Sequence, residues 1–131
     1  MPSRPIRRPA PALDWAELDE LAALGATADA ARLARTVRTL CARIAAEHPG
    51  RTVELRVPPY AAVQLTLDDE GSTHRRGTPP NVVETDGATL LALATGRLSW
   101  ARGRASHRVR ASGAHSDLSG LFPLRRDHAG R

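Results

Sequence analysis

Lysine is absent from this chain of 131 residues, cysteine occurs once, and Phe, Trp and Tyr together make up 3%. All 19 basic residues are arginine, which GC-rich coding explains as readily as a selected chemistry. A lone Cys41 excludes a disulfide framework and a cysteine-based zinc cluster, and it fits a reducing, cytoplasmic setting. The shortage of aromatics leaves base stacking on single-stranded nucleic acid poorly equipped. No apolar run approaches the roughly 20 residues needed to span a bilayer. The arginines near the N-terminus are not followed by an apolar signal core, so a soluble chain outside the usual secretory route is expected.

Catalytic signatures are equally scarce. His48, His74, His107, His115 and His128 show neither H-E-x-x-H nor C-x-x-C spacing, so neither a metal nor another cofactor is expected. No G-x-S-x-G elbow surrounds a serine, and Cys41 falls on the apolar stripe of a helix, where a thiol is usually inert core. The chain is therefore expected not to be an enzyme.

What the chain has in plenty is positive charge, a formal +5 with a pI near 11.1. Its distribution argues against nucleic acid. Arg4, Arg7 and Arg8 lie in the first dozen residues and Arg125, Arg126 and Arg131 in the last seven, whereas 13 arginines meet 13 acidic residues between Leu13 and Leu124. A DNA-binding domain carries its excess charge on the folded face that meets phosphate. The two tails, 1–12 and 125–131, are expected to be solvated. Weak contact with an anionic membrane surface is open to them, at about 1 kcal/mol for each basic residue near the lipid. Inside the body, Arg97, Arg102, Arg104, Arg108 and Arg110 form a run without an acidic residue. This run is the best case for a phosphate-contacting surface, although lipid phosphate or the acidic stretch from Asp14 to Glu20 would serve these arginines equally well.

Local patterns set the elements of the expected domain, 13–124, with 41% hydrophobic residues in the chain allowing one core. Asp14 followed by Glu17 has capping-box spacing, and Trp15, Leu18, Leu21 and Ala22 share a helix face that ends at Gly25. Thr27 or Asp29 opens a longer helix with Leu33, Val37, Leu40, Cys41 and Ile44 on one stripe, stopped by Pro49-Gly50. Thr52 to Val57 alternates with Val53, Leu55 and Val57 inward, and Pro58-Pro59 breaks the ladder before Val63, Leu65 and Leu67 repeat it. A third strand is expected near Thr73 to Arg76. Val82 to Thr85 reads as a further strand, and Asp86 caps a helix through Leu90, Leu91, Leu93 and Ala94 that stops at Gly96. Ser99 caps a short turn through Trp100, Arg108 to Ser112 alternates as a half-buried strand ending at Gly113, and Asp117 to Phe122 forms a closing helical turn before Pro123.

The order from Val82 to Leu124 resembles the C-terminal half of the sterol carrier protein fold, through Leu91 to Leu93, Gly96, Leu98, Ser99, Val109, Gly113, Leu118 and Leu121. Small actinobacterial sterol carrier orthologues are similar over about Pro49 to Leu124, on the segments from Arg56 to Gln64, Arg76 to Glu84 and Ser116 to Ser119. Two departures stand out: His107 occupies a place where the wider family usually has a glycine before the strand, and the chain ends His128-Ala129-Gly130-Arg131 without a peroxisomal address. The resemblance implies an α+β single domain of the sterol carrier type, with about five mostly antiparallel strands covered on one face by helices. It implies no particular ligand.

The function expected from this is non-enzymatic binding or carriage of an apolar or amphiphilic small molecule between sheet and helices, by a monomer. Val82, Leu91, Leu98, Trp100, Val109, Leu118, Leu121 and Phe122 are the apolar candidates for the ligand-binding wall, and each suits plain core equally. Arg76 and Asn81 are the polar candidates, on a Gly77 and Pro79-Pro80 segment that suits either a crossover loop or a pocket rim. An empty cavity of about 300 Å³ would cost roughly 7 kcal/mol, comparable with the stability of a whole domain. Any cavity should therefore be small, open to water or occupied. Three alternatives stand beside this: an interaction or regulatory module whose pocket is filled by side chains, nucleic-acid binding through the tails and the basic run, and an accessory role beside a thiol-dependent isomerase.

Overall fold

The computed structural model describes residues 9–67 and 81–126. Helix α1 (Trp15–Leu24) starts where the Asp14 carboxylate accepts from the Glu17 N–H, the capping interaction that the spacing predicts. It ends at Gly25, and a single 3-10 turn, Gly25–Thr27, leads to α2 (Ala30–Glu47). Of the two openings considered for α2, Asp29 is the cap, accepting from the Arg32 N–H. Then come β1 (Val53–Val57), β2 (Ala61–Leu65), β3 (Asn81–Thr85), α3 (Gly87–Thr95), α4 (Trp100–Ala105) and β4 (Val109–Ser112), with a 3-10 turn at Ser119–Leu121. Asp86 and Ser99 cap α3 and α4, and Gly96 stops α3 in the left-handed conformation at φ 85°.

Among the described residues the sheet has four strands, ordered β2-β1-β3-β4, where about five were expected. The strand anticipated near Thr73 to Arg76 lies outside the described residues. Pairs β1·β2 and β3·β4 are antiparallel, and β1·β3 is parallel, a pairing the sequence patterns did not reveal. The register sets Leu55 beside Val63 and Val83, with Val83 beside Ala111. Period two then divides the sheet into an apolar face and a polar one. On the apolar face Val53, Leu55, Val57, Leu65, Val83 and Val109 are buried, and Val37, Leu40, Cys41 and Ile44 of α2 pack in the same core with Leu18 and Leu21 of α1 and Leu90, Leu91 and Leu93 of α3. The opposite face carries Arg56, Glu84 and Arg110 in adjacent register. Helices thus cover one face of an α+β domain.

Two glycines set close approaches. Gly113 has φ 98°, and a Cβ there would lie 2.3 Å from Oδ1 of Asn81, so strand β4 leaves the sheet hard against the start of β3. A Cβ on Gly103 would lie 2.9 Å from Val109, so its absence lets α4 press onto β4. His107, in the turn between these elements, has φ 61°, the left-handed region that a glycine occupies without strain. The departure noted in the sequence therefore falls at a position whose backbone suits glycine.

Candidate functional site

The sequence-chosen residues do not form one surface. Leu91 and Leu118 are wholly closed to solvent, and Val109 and Leu121 are buried with them in the continuous core. Val82 lies on the opposite face of the sheet, with Val83 on the helix side in its place. Two adjacent valines in a five-residue strand leave the phase of alternation open, and the pairing decides it. Leu98, Trp100 and Phe122 are half-buried at the edge of the core, and the Trp100 and Phe122 rings stack with centroids 6.2 Å apart. Arg76 lies outside the described residues.

Asn81, read as a polar group for a ligand, is a buried clamp in the structure. Its Nδ2 donates to the Thr52 carbonyl at 2.9 Å, and its Oδ1 accepts from the His115 N–H at 3.0 Å. Both ends of the amide thus have protein partners, joining the entry to β1, the start of β3 and the loop after β4. A buried amide must be satisfied in this way or cost stability.

Two open concavities meet at the α4–β4 edge. One, of about 490 Å³, is lined by Leu98, Arg102, Ala105, Ser106 and Arg108. The second, of about 340 Å³, is lined by Pro58, Glu84, Thr85, Asp86, His107, Arg108 and Arg110. Arg108 is common to both. The first joins Leu98 and Ala105 to two arginines; the second mixes carboxylates with cations.

Local structure holds Arg108 in place. Its carbonyl accepts from the Thr85 hydroxyl at 2.8 Å, and its Nε donates to Oγ1 of Thr89 at 3.3 Å. The Thr89 hydroxyl donates in turn to Asp86, the residue that caps α3. Arg102 lies one turn before the end of α4, where its carbonyl accepts from Ser106. Neither Arg102 nor Arg110 makes a side-chain hydrogen bond or ion pair among the described residues. The sequence signal for this edge was the acid-free arginine run; the concavity itself, with Ala105 and Ser106 in its wall, depends on how α4 crosses β4.

The remaining reactive groups do not extend this site. Cys41 is fully buried, and burial pushes its thiol up to about 12. Among the described residues no three His, Cys, Asp or Glu side chains are grouped to hold a metal ion, and no helix is long and apolar enough to cross a membrane. Arg126, assigned by sequence to the C-terminal tail, is bound to the folded body. It makes two hydrogen bonds to Asp19 at 2.7 and 2.8 Å and lies 4.5 Å over the Trp15 ring.

The protein-family model described as bacterial SCP ortholog matches residues 29–124, from the cap of α2 to the segment after the last 3-10 turn. The chain belongs to that family. No curated protein matches it.

Proposed function

We propose that this member of the bacterial SCP ortholog family binds and carries an apolar or amphiphilic small molecule, without catalysing its conversion, as a cytoplasmic monomer. The observation that carries the reading is the concavity at the α4–β4 edge, where Leu98 and Ala105 stand beside Arg102 and Arg108. It opens widely to solvent, so a ligand would lie along its wall rather than be enclosed. Each methylene moved from water against such a wall gains up to about 0.8 kcal/mol when fully buried. The open mouth suits a carrier, which must release its cargo as well as hold it. Family membership supports the carrier role in general, and the residues at this edge support its location.

A second reading is favoured by a different observation. Leu91, Val109, Leu118 and Leu121, chosen as a ligand-facing wall, are buried among other core side chains, as in a module whose inherited pocket is filled. The two readings part on one experiment. Organic extraction and native mass spectrometry of the purified full chain, with titration of a fluorescent acyl probe, should reveal a co-purifying or exchangeable amphiphile on the carrier reading. Absence of both would favour the interaction module.

A further inference from the structure

The two neighbouring concavities differ in charge, and the difference selects the ligand. In the smaller one Glu84 and Asp86 stand among Arg108, Arg110 and His107, so an entering anion meets repulsion as well as attraction. In the larger one the charged lining residues are Arg102 and Arg108, and no carboxylate belongs to its lining, although Arg108 also borders the smaller one. We propose that the larger concavity is an oxyanion site, in which Arg102 and Arg108 hold the carboxylate or phosphate head of an amphiphile whose apolar part lies on Leu98 and Ala105. This rests on the carrier reading above and adds the class of head group.

Three features of the edge support it. Arg108 is oriented before any ligand arrives, because its Nε is engaged by Thr89 and its carbonyl by Thr85. That arrangement leaves both terminal Nη groups without a protein partner among the described residues, so the fork that pairs with a planar oxyanion is free. Arg102 lines the same concavity, and no carboxylate among the described residues is bonded to it. Finally, three of the carbonyl groups at the end of α4, where the helix dipole opposes an anion, already have donors of their own. The carbonyls of Arg102 and Arg104 already accept from the Ser106 and His107 N–H groups, and the Ser106 hydroxyl donates to the Arg102 carbonyl at 2.8 Å. Preformed donors beside an apolar wall are what recognition of an anionic amphiphile requires.

Calorimetric titration of the full chain with decanoate, decyl phosphate and decanol, each below its aggregation limit, tests the assignment, with inorganic phosphate as the tail-free arm. Decanoate and decyl phosphate should bind about tenfold more tightly than decanol. Arg108→Gln and Arg102→Gln should each weaken the two anions by about two- to fivefold, leave decanol unchanged and flatten the salt dependence. Arg110→Gln, in the neighbouring concavity, should change nothing. Arg102→Gln removes a side chain that makes no bond among the described residues, so the test survives if Arg108→Gln misfolds. Equal binding of decanol and the anions, or anion binding untouched by both variants, overturns the oxyanion site while leaving the carrier reading in place. Inorganic phosphate binding as tightly as decyl phosphate, with loss in both variants, supports the arginine site and counts against the carrier. Failure of all four ligands overturns both.

Discussion

On the α1–α2 side of the molecule Arg32 bonds to Glu17 and Glu20, Arg43 pairs with Glu47 and reaches the Pro11 carbonyl, and Arg126 grips Asp19. At the α4–β4 edge Arg102 and Arg110 have no such partner among the described residues, and Arg108 uses its Nε alone. Both regions are built from arginine, and both border the same apolar core. The first uses its guanidinium groups to join α1 to α2 and the C-terminal segment to α1; the second holds them ready around a concavity. Paired arginine is structure, and unpaired arginine fixed beside an apolar wall is available chemistry. The contrast also explains why the overall basicity of the chain was uninformative: what matters is which arginines have carboxylates within reach.

The largest effect that sharpens this contrast is expected in the core. Leu118→Ala should destabilise the protein by about 2–5 kcal/mol, read by denaturant unfolding, because the side chain is wholly buried and its loss leaves a cavity. Near-neutral stability would mean that Leu118 lines an adaptable ligand space and that the division between sealed core and open edge is misplaced. Asn81→Ala comes next, at about 1–3 kcal/mol, since it strands the Thr52 carbonyl and the His115 N–H. If Asn81 instead served a ligand, the substitution would lower affinity and leave unfolding unchanged.

A smaller and opposite effect is expected at the edge. His107→Gly should raise stability by about 0.5–1 kcal/mol, the relief of a left-handed residue less the extra freedom glycine gives the unfolded chain. A fall in stability would show that the imidazole makes a contact worth more than the strain. The smallest effect belongs to the paired side. The Arg126 hydrogen bond holds the Asp19 carboxyl below the usual aspartate range, against the opposing pull of desolvation. A lowered folded-state pKa stabilises above the unfolded value, and that contribution is lost as pH falls through the folded one. Asp19→Asn should therefore cost about 0.5 kcal/mol near neutrality and nothing in strong acid, measured as melting temperature against pH.

Much of the fold was legible because its signals are local. Asp14, Asp86 and Ser99 lie one residue before apolar-periodic segments, and a short polar side chain there satisfies an otherwise unpaired N–H whatever the tertiary context. Gly96 and Gly113 mark places where the chain takes positive φ, and both were read as ends of elements. The alternation of Val53, Leu55 and Val57 gave the buried face of β1. What failed to show was non-local. The parallel pairing of β1 with β3 depends on a long connection, and no residue of either strand encodes its partner. Asn81 was read as a polar group for a ligand, because the partners that make it a clamp, Thr52 and His115, are 29 and 34 residues away. The edge concavity was half legible: the acid-free run announced Arg102 and Arg108, whereas Ala105 and Ser106 acquire their role only from the crossing of α4 over β4.

The central claim is that a ligand lodges at the α4–β4 edge and leaves the core closed. Backbone amide chemical shifts of the full chain, followed by heteronuclear NMR as decanoate is added, test it most directly. The account predicts saturable shifts concentrated at Leu98, Arg102, Ala105, Ser106 and Arg108, with Leu40, Ile44 and Leu55 unmoved. Shifts centred on α2 and β1, or no saturable shift anywhere, would contradict it.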